Sequence, residues 1–181
     1  MPQEIPTYSG SLVFTTKKEA PVRCQKPMLY EEILEKPITI IRGLMIQKLD
    51  RGFNDKNLVL GIDPGKRIGL SVFYYGHDIE NSFYSSIDEL VTHITQVLGG
   101  LSAKRKIVKI GNGNMTIAKQ IGQQLNLKFC SSFDLEFVDE RKTSLKIKNF
   151  NQRGKRDMLS AKYISQREGC RYSILPLSIT G

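Results

Sequence analysis

Three acids far apart in the chain, Asp63, Glu140 and Asp157, are the residues whose types and settings best suit chemistry. Asp63 ends the apolar run Leu58-Val59-Leu60-Gly61-Ile62 and precedes a turn marked by Pro64 and Gly65. A carboxylate where two strands part, beside a glycine that admits a phosphate, suits a hard cation shared with that phosphate. Its simpler role is an Asx hydrogen bond that closes its own turn. Glu140 follows the apolar run Leu135 to Val138, with Asp139 next to it as a reserve ligand. The simpler role for Glu140 is a solvated loop acid paired with Arg141. Asp157 is expected to open the last helix, where aspartate is also a common N-cap. Three carboxylates gathered at one place repel one another, and divalent cations relieve that repulsion. Two Mg²⁺ or Mn²⁺ ions roughly 3.5–4 Å apart activate a water and stabilise the leaving oxygen of a phosphodiester.

The stretch joining two of these acids is strongly basic. Arg141, Lys142, Lys146, Lys148, Arg153, Lys155 and Arg156 occur there with no acid among them. Lys66 and Arg67 stand just after the Asp63 turn. Such side chains hold phosphates and steer a polyanion inward, while Phe150 offers a face on which a base can stack. A charge run of this kind is equally a solvated loop. The whole chain leans the same way: 27 Lys and Arg against 18 Asp and Glu leave a formal charge of +9. An excess of that size favours nucleic acid, RNA or branched DNA, through counterion release.

The elements that must position these residues follow from hydrophobic spacing. Leu58–Ile62, Ile68–Tyr75 and about Ile79–Ser85 read as three strands of an antiparallel meander. Ser86-Ile87-Asp88-Glu89 reads as a capping box, opening a helix that Gly99-Gly100 ends. Ile107–Ile110 is a short strand, Gly111-Asn112-Gly113-Asn114 a turn, and Met115–Leu127 an amphipathic helix. Leu135–Val138 is a strand, and a last helix runs from about Asp157 to Glu168. The order β-β-β-α-β-α-β-α predicts an α/β fold: three antiparallel strands, then parallel strands alternating with helices in one mixed sheet. Sites in such sheets form at the carboxyl ends of the parallel strands, where the Asn112 loop and Asp139-Glu140 fall.

Residues 1–55 differ in texture and carry five of the seven prolines. They read as an irregular N-terminal extension without an assigned role, and 56–181 as the α/β domain. Within the extension, Leu29–Glu35 looks like a short helix, and Ile38–Leu49 reads as a helix or an extended segment. Cys24, Cys130 and Cys170 form no metal or disulfide pattern and fit a reducing, cytoplasmic setting. No secretory leader and no membrane span is expected. His77 and His93 read as surface residues, and neither Ser71 nor Ser144 has a suggestive histidine. The Gly111–Asn114 turn has the glycines to cradle a phosphate but lacks the spacing and lysine of a P-loop.

Residues Gly61-Ile62-Asp63-Pro64-Gly65-Lys66-Arg67-Ile68-Gly69-Leu70-Ser71 resemble the first-strand motif of the RuvC-like and YqgF-like (RuvX) branch of the ribonuclease H-like superfamily. Val138-Asp139-Glu140-Arg141-Lys142-Thr143-Ser144 is similar to the V-D-E-R-x-T-S motif of the YqgF branch. Asp157 with Ser160-Ala161 resembles that branch's final D-x-x-A-A helix. The likeness spans roughly 56–170. It implies a ribonuclease H-like fold, with Asp63, Glu140 and Asp157 as metal-binding carboxylates. It also implies metal-dependent cleavage of nucleic-acid phosphodiesters, in ribosomal RNA maturation or Holliday junction resolution. Where resolvases place a glutamate near the fourth strand, this chain has Asn112 and Asn114. A non-catalytic nucleic-acid-binding module is the main rival; a sugar-kinase-like phosphotransferase would need a second domain that 181 residues do not accommodate. Monomer and homodimer both agree with the sequence.

Overall fold

The computed structural model describes residues 9–20, 25–50, 52, 55–129, 133–140 and 153–172. The chain divides into two compact units, Met1–Asn54 and Asp55–Gly181. In the first, β1 (Val13–Thr15) pairs in parallel with β2 (Met28–Tyr30). A 3-10 turn at Glu31–Glu35 and the helix α1 (Ile38–Leu49) follow. The helix expected at Leu29–Glu35 is therefore two strand residues, Leu29 and Tyr30, followed by the five-residue 3-10 turn. Pro37 stands at the N-cap of α1, where its missing N–H would have had no helical partner in any case.

The second unit is α/β. Its six-stranded mixed sheet has the order β5-β4-β3-β6-β7-β8. The strands are β3 (Asn57–Asp63), β4 (Ile68–Tyr74), β5 (His77–Tyr84), β6 (Arg105–Gly111), β7 (Asp134–Val138) and β8 (Cys170–Arg171). β3, β4 and β5 pair antiparallel; β6 lies parallel to β3 and β7 parallel to β6; β8 returns antiparallel at the edge. Two-residue β8 has no apolar run of its own and forms only because the chain past α4 passes along β7. Leu58, Leu60, Ile62, Leu70, Val72 and Tyr74 are sealed from solvent, which explains the continuous apolar runs of the central strands.

Helices cover both faces. α2 (Ile87–Gly100) and α3 (Met115–Lys128) pack together on one side. α2 buries Leu90, Val91, Ile94, Val97 and Leu98, a stripe at helical spacing. Lys106, on the Leu58 side of β6, reaches this layer and donates to the Leu98 carbonyl. Lys109 has the opposite parity and donates across the other face to the Arg167 carbonyl, just past α4 (Arg153–Gln166).

Three local expectations are corrected. Ser86 is the N-cap of α2 by position, but its side chain makes no cap hydrogen bond. Asn114, read only as a turn residue, does cap α3: its Oδ1 accepts the Ile117 N–H at 3.2 Å. His93 is not a surface group; its Nε2 meets Glu80 Oε2 at 2.8 Å, and this mostly buried pair ties α2 to β5. His77 is exposed, as expected. Cys170 is an exposed free thiol, and Cys24 and Cys130 lie outside the described residues. Among the described residues no helix is long and apolar enough to cross a membrane.

Candidate active site

α4 brings the first and last acids together because β3 and β4 carry glycines beneath it. A β-carbon on Gly61 would strike the Ala161 carbonyl and come within 2.7 Å of Ser165, and one on Gly69 would strike the Asp157 carbonyl. Only side-chain-free positions let a helix backbone lie this close to a sheet. Gly69 is the register partner of Asp63. Asp157 is thereby seated over the strand next to the one that ends in Asp63. Arg153 starts α4, so Asp157 is the fifth residue of the helix and not the opening one. Its N-cap role is ruled out, and its place one turn in is what aligns it with Gly69.

Glu140 arrives from a different element. β6 and β7 are held side by side past their last paired residues by an Asn112 N–H to Val138 carbonyl bond of 3.0 Å. Asn112 Oδ1 accepts the Glu140 N–H at 3.1 Å, and Glu140 Oε1 accepts the Gly113 N–H at 3.0 Å. The glycine turn that was a weak candidate for a phosphate thus holds an anion from its own chain, the Glu140 carboxylate. Both Gly111 and Gly113 leave room for it; a β-carbon at either would collide with the carboxyl group.

The three acids share one electrostatic neighbourhood. Burial pushes the Asp63 carboxyl up to about 6, helped by the charges of Glu140 and Asp157 and opposed by a Ser160 hydrogen bond and Arg156. Burial also raises Asp157, against the pull of Arg67 and Arg156. The donor set is all carboxylate oxygen, which matches hard cations. It is not drawn into a closed cage: among the described residues, no three His, Cys, Asp or Glu side chains are grouped closely enough to hold one ion. Asp139, the reserve ligand, is exposed, and its carbonyl accepts from Arg167 Nη1 at 3.3 Å.

Lys66, Arg67, Lys155 and Arg156 are exposed at this end of the sheet. Arg153 has its backbone in α4, with its side chain outside the described residues. Arg141, Lys142, Lys146 and Lys148 also lie outside them, as do Ser144 and Phe150. Sequence reasoning missed Ser160 as a partner of Asp63. The signal was its spacing: a residue three after Asp157 shares that face of the helix. Asn112 as the support of Glu140 had no comparable signal, because the bond crosses 28 residues.

No protein-family model and no curated protein matches this chain.

Proposed function

We propose that the second unit is a metal-dependent nuclease of ribonuclease H-like fold, related to the RuvC-like and YqgF-like branch. The observation that carries this reading is the meeting of Asp63, from the end of β3, with the charges of Glu140 and Asp157, from two other elements. The sheet order, with three antiparallel strands leading into parallel ones, supports the fold assignment.

In this reading Asp63, Glu140 and Asp157 would hold Mg²⁺ or Mn²⁺, whose chemistry when bound would be activation of a water and charge stabilisation at the leaving oxygen. Ser160 fixes the Asp63 carboxylate by donating its hydroxyl. Asn112 and the Gly113 N–H fix the Glu140 backbone and carboxylate. Arg67 and Arg156, both close enough to pull on the charge of Asp157, bind the flanking phosphates of an RNA or structured DNA strand.

The test is cleavage of labelled single strands, precursor ribosomal RNA and four-way junctions with and without Mg²⁺. Cleavage that needs the cation and disappears in Asp63→Asn and Asp157→Asn supports the reading; full activity in both variants refutes it. A second reading, a binding module of the same fold without catalysis, is supported by the formal charge of +9, which needs only a polyanion and no metal. Salt-dependent binding without metal-dependent cleavage would establish it.

A further inference from the structure

A row of three residues crosses the sheet at the proposed site. Asp63 on β3 pairs with Gly69 on β4, and Gly69 pairs with Phe83 on β5. Cross-strand partners share a face, so Asp63 and Phe83 look out on the same side. Two strand spacings put their backbones ~10 Å apart. The Asp157 carbonyl fills the space over Gly69 between them. Phe83 lies beyond that cover and keeps 47% of its surface exposed.

A cationic group stands over the ring. The Arg67 guanidinium stands 5.5 Å from the centre of the Phe83 ring, within cation–π range. The same arginine acts on the charge of Asp157. A flat apolar ring and a guanidinium, side by side near Asp63 and Asp157, are the two halves of a nucleotide's chemistry: a face for the base and a charge for its phosphate. In a duplex the base faces are already stacked on their neighbours, so a ring on an open surface can take only an unpaired or extruded base. The strongly positive chain makes a polyanion the complementary occupant.

We propose that Phe83, steadied by Arg67, is a stacking platform for an unpaired nucleobase near the scissile phosphate, which directs the site to single-stranded nucleic acid. That the phosphate is scissile rests on the nuclease reading; the binding itself does not. No sequence motif points to Phe83; only the register brings it level with Asp63.

The test measures equilibrium binding of the full chain, in EDTA so that no strand is cut. The probes are single-stranded RNA, single-stranded DNA and the matching duplexes, each carrying 2-aminopurine. Phe83→Ala is expected to weaken single-strand binding about tenfold or more and to abolish the stacking quench. Phe83→Tyr should retain both, and duplex binding should be unaffected. The RNA and DNA arms show which sugar the site accepts. The chain has no tryptophan, so Phe83→Trp adds a lone emitter whose quenching by a single strand reads stacking directly, even if the alanine variant folds poorly. Equal single-strand affinity in wild type and Phe83→Ala, an equal loss on duplex, or an unquenched Phe83→Trp overturns the platform. Parallel cleavage with Mg²⁺ separates the two ideas: Phe83-dependent binding without any cleavage keeps the platform and ends the nuclease reading. Cleavage undiminished in Phe83→Ala does the reverse, and absence of binding to every probe overturns both.

Discussion

The Glu140 carboxylate occupies the space that a β-carbon on Gly113 would need, while accepting that residue's N–H at 3.0 Å. A turn between β6 and α3 thus aims an acid that the chain supplies 27 residues later. Gly113 is exposed, and the atoms in conflict are the mobile end of one side chain. Gly113→Ala should therefore change stability by less than about 1 kcal/mol. If the second unit is the proposed nuclease, the displaced carboxylate should lower metal-dependent cleavage by roughly 10- to 100-fold, since a shift of about 1 Å at a reacting centre has effects of that size. Thermal melting alongside initial rates checks this. Adding Gly113→Ala to Glu140→Ala should cause no further loss of rate.

Gly61 makes the opposite case. Its missing β-carbon leaves room for backbone atoms of α4, the Ala161 carbonyl and the Ser165 N, which cannot swing aside. Gly61→Ala should cost about 1–3 kcal/mol in urea unfolding, because the helix must lift from the sheet. Lifting α4 also withdraws Asp157, so the proposed cleavage should fall in protein that is still folded.

The raised carboxyl of Asp63 gives the protein a pH signature. Its folded value of about 6 lies above the unfolded value of 3.8, so the folded state binds the extra proton between them. The stabilisation from protonating Asp63 is complete below about pH 4 and is lost as pH rises through 6. Asp63→Asn, neutral at every pH, should be more stable than wild type at pH 7 by about 1–2 kcal/mol, a figure reduced for the residue's partial exposure. The two should converge near pH 4. Denaturant melts at pH 4, 5, 6 and 7 give the difference directly.

Lys109 and Glu136 form a mostly buried pair, 3.7 Å apart, under the far end of α4, where Lys109 also holds the Arg167 carbonyl. Lys109→Ala strands the Glu136 charge and that carbonyl and should cost about 3 kcal/mol. The double variant Lys109→Met with Glu136→Leu should recover most of the loss, which a double-mutant cycle in urea measures.

The central sheet was readable because Leu58 to Ile62 and Ile68 to Tyr74 are apolar runs of strand-forming residues bounded by Pro, Gly and Asp. Asp63 was placed at its strand end for the same reason. Long-range contacts were not readable in this way. β8 has two residues and depends on β7 for its existence. The start of α4 was misplaced by four residues, since Asp157 resembles an N-cap in sequence and sits inside the helix in fact. His93 lies off its helix's apolar stripe, yet Glu80 on β5 receives it, a partner thirteen residues upstream. Gly111 and Gly113 read as turn residues, and Gly61 and Gly69 only as members of the first-strand motif, whereas the four leave space for α4 and Glu140.

The most direct trial of the proposed metal-binding role of Asp63, Glu140 and Asp157 is a crystal of the full chain soaked in Mn²⁺ and measured for anomalous scattering. A peak within about 2.0–2.5 Å of an Asp63 oxygen, and of at least one oxygen from Glu140 or Asp157, is the predicted result. No peak at the end of β3, with the metal held elsewhere or not at all, would contradict it.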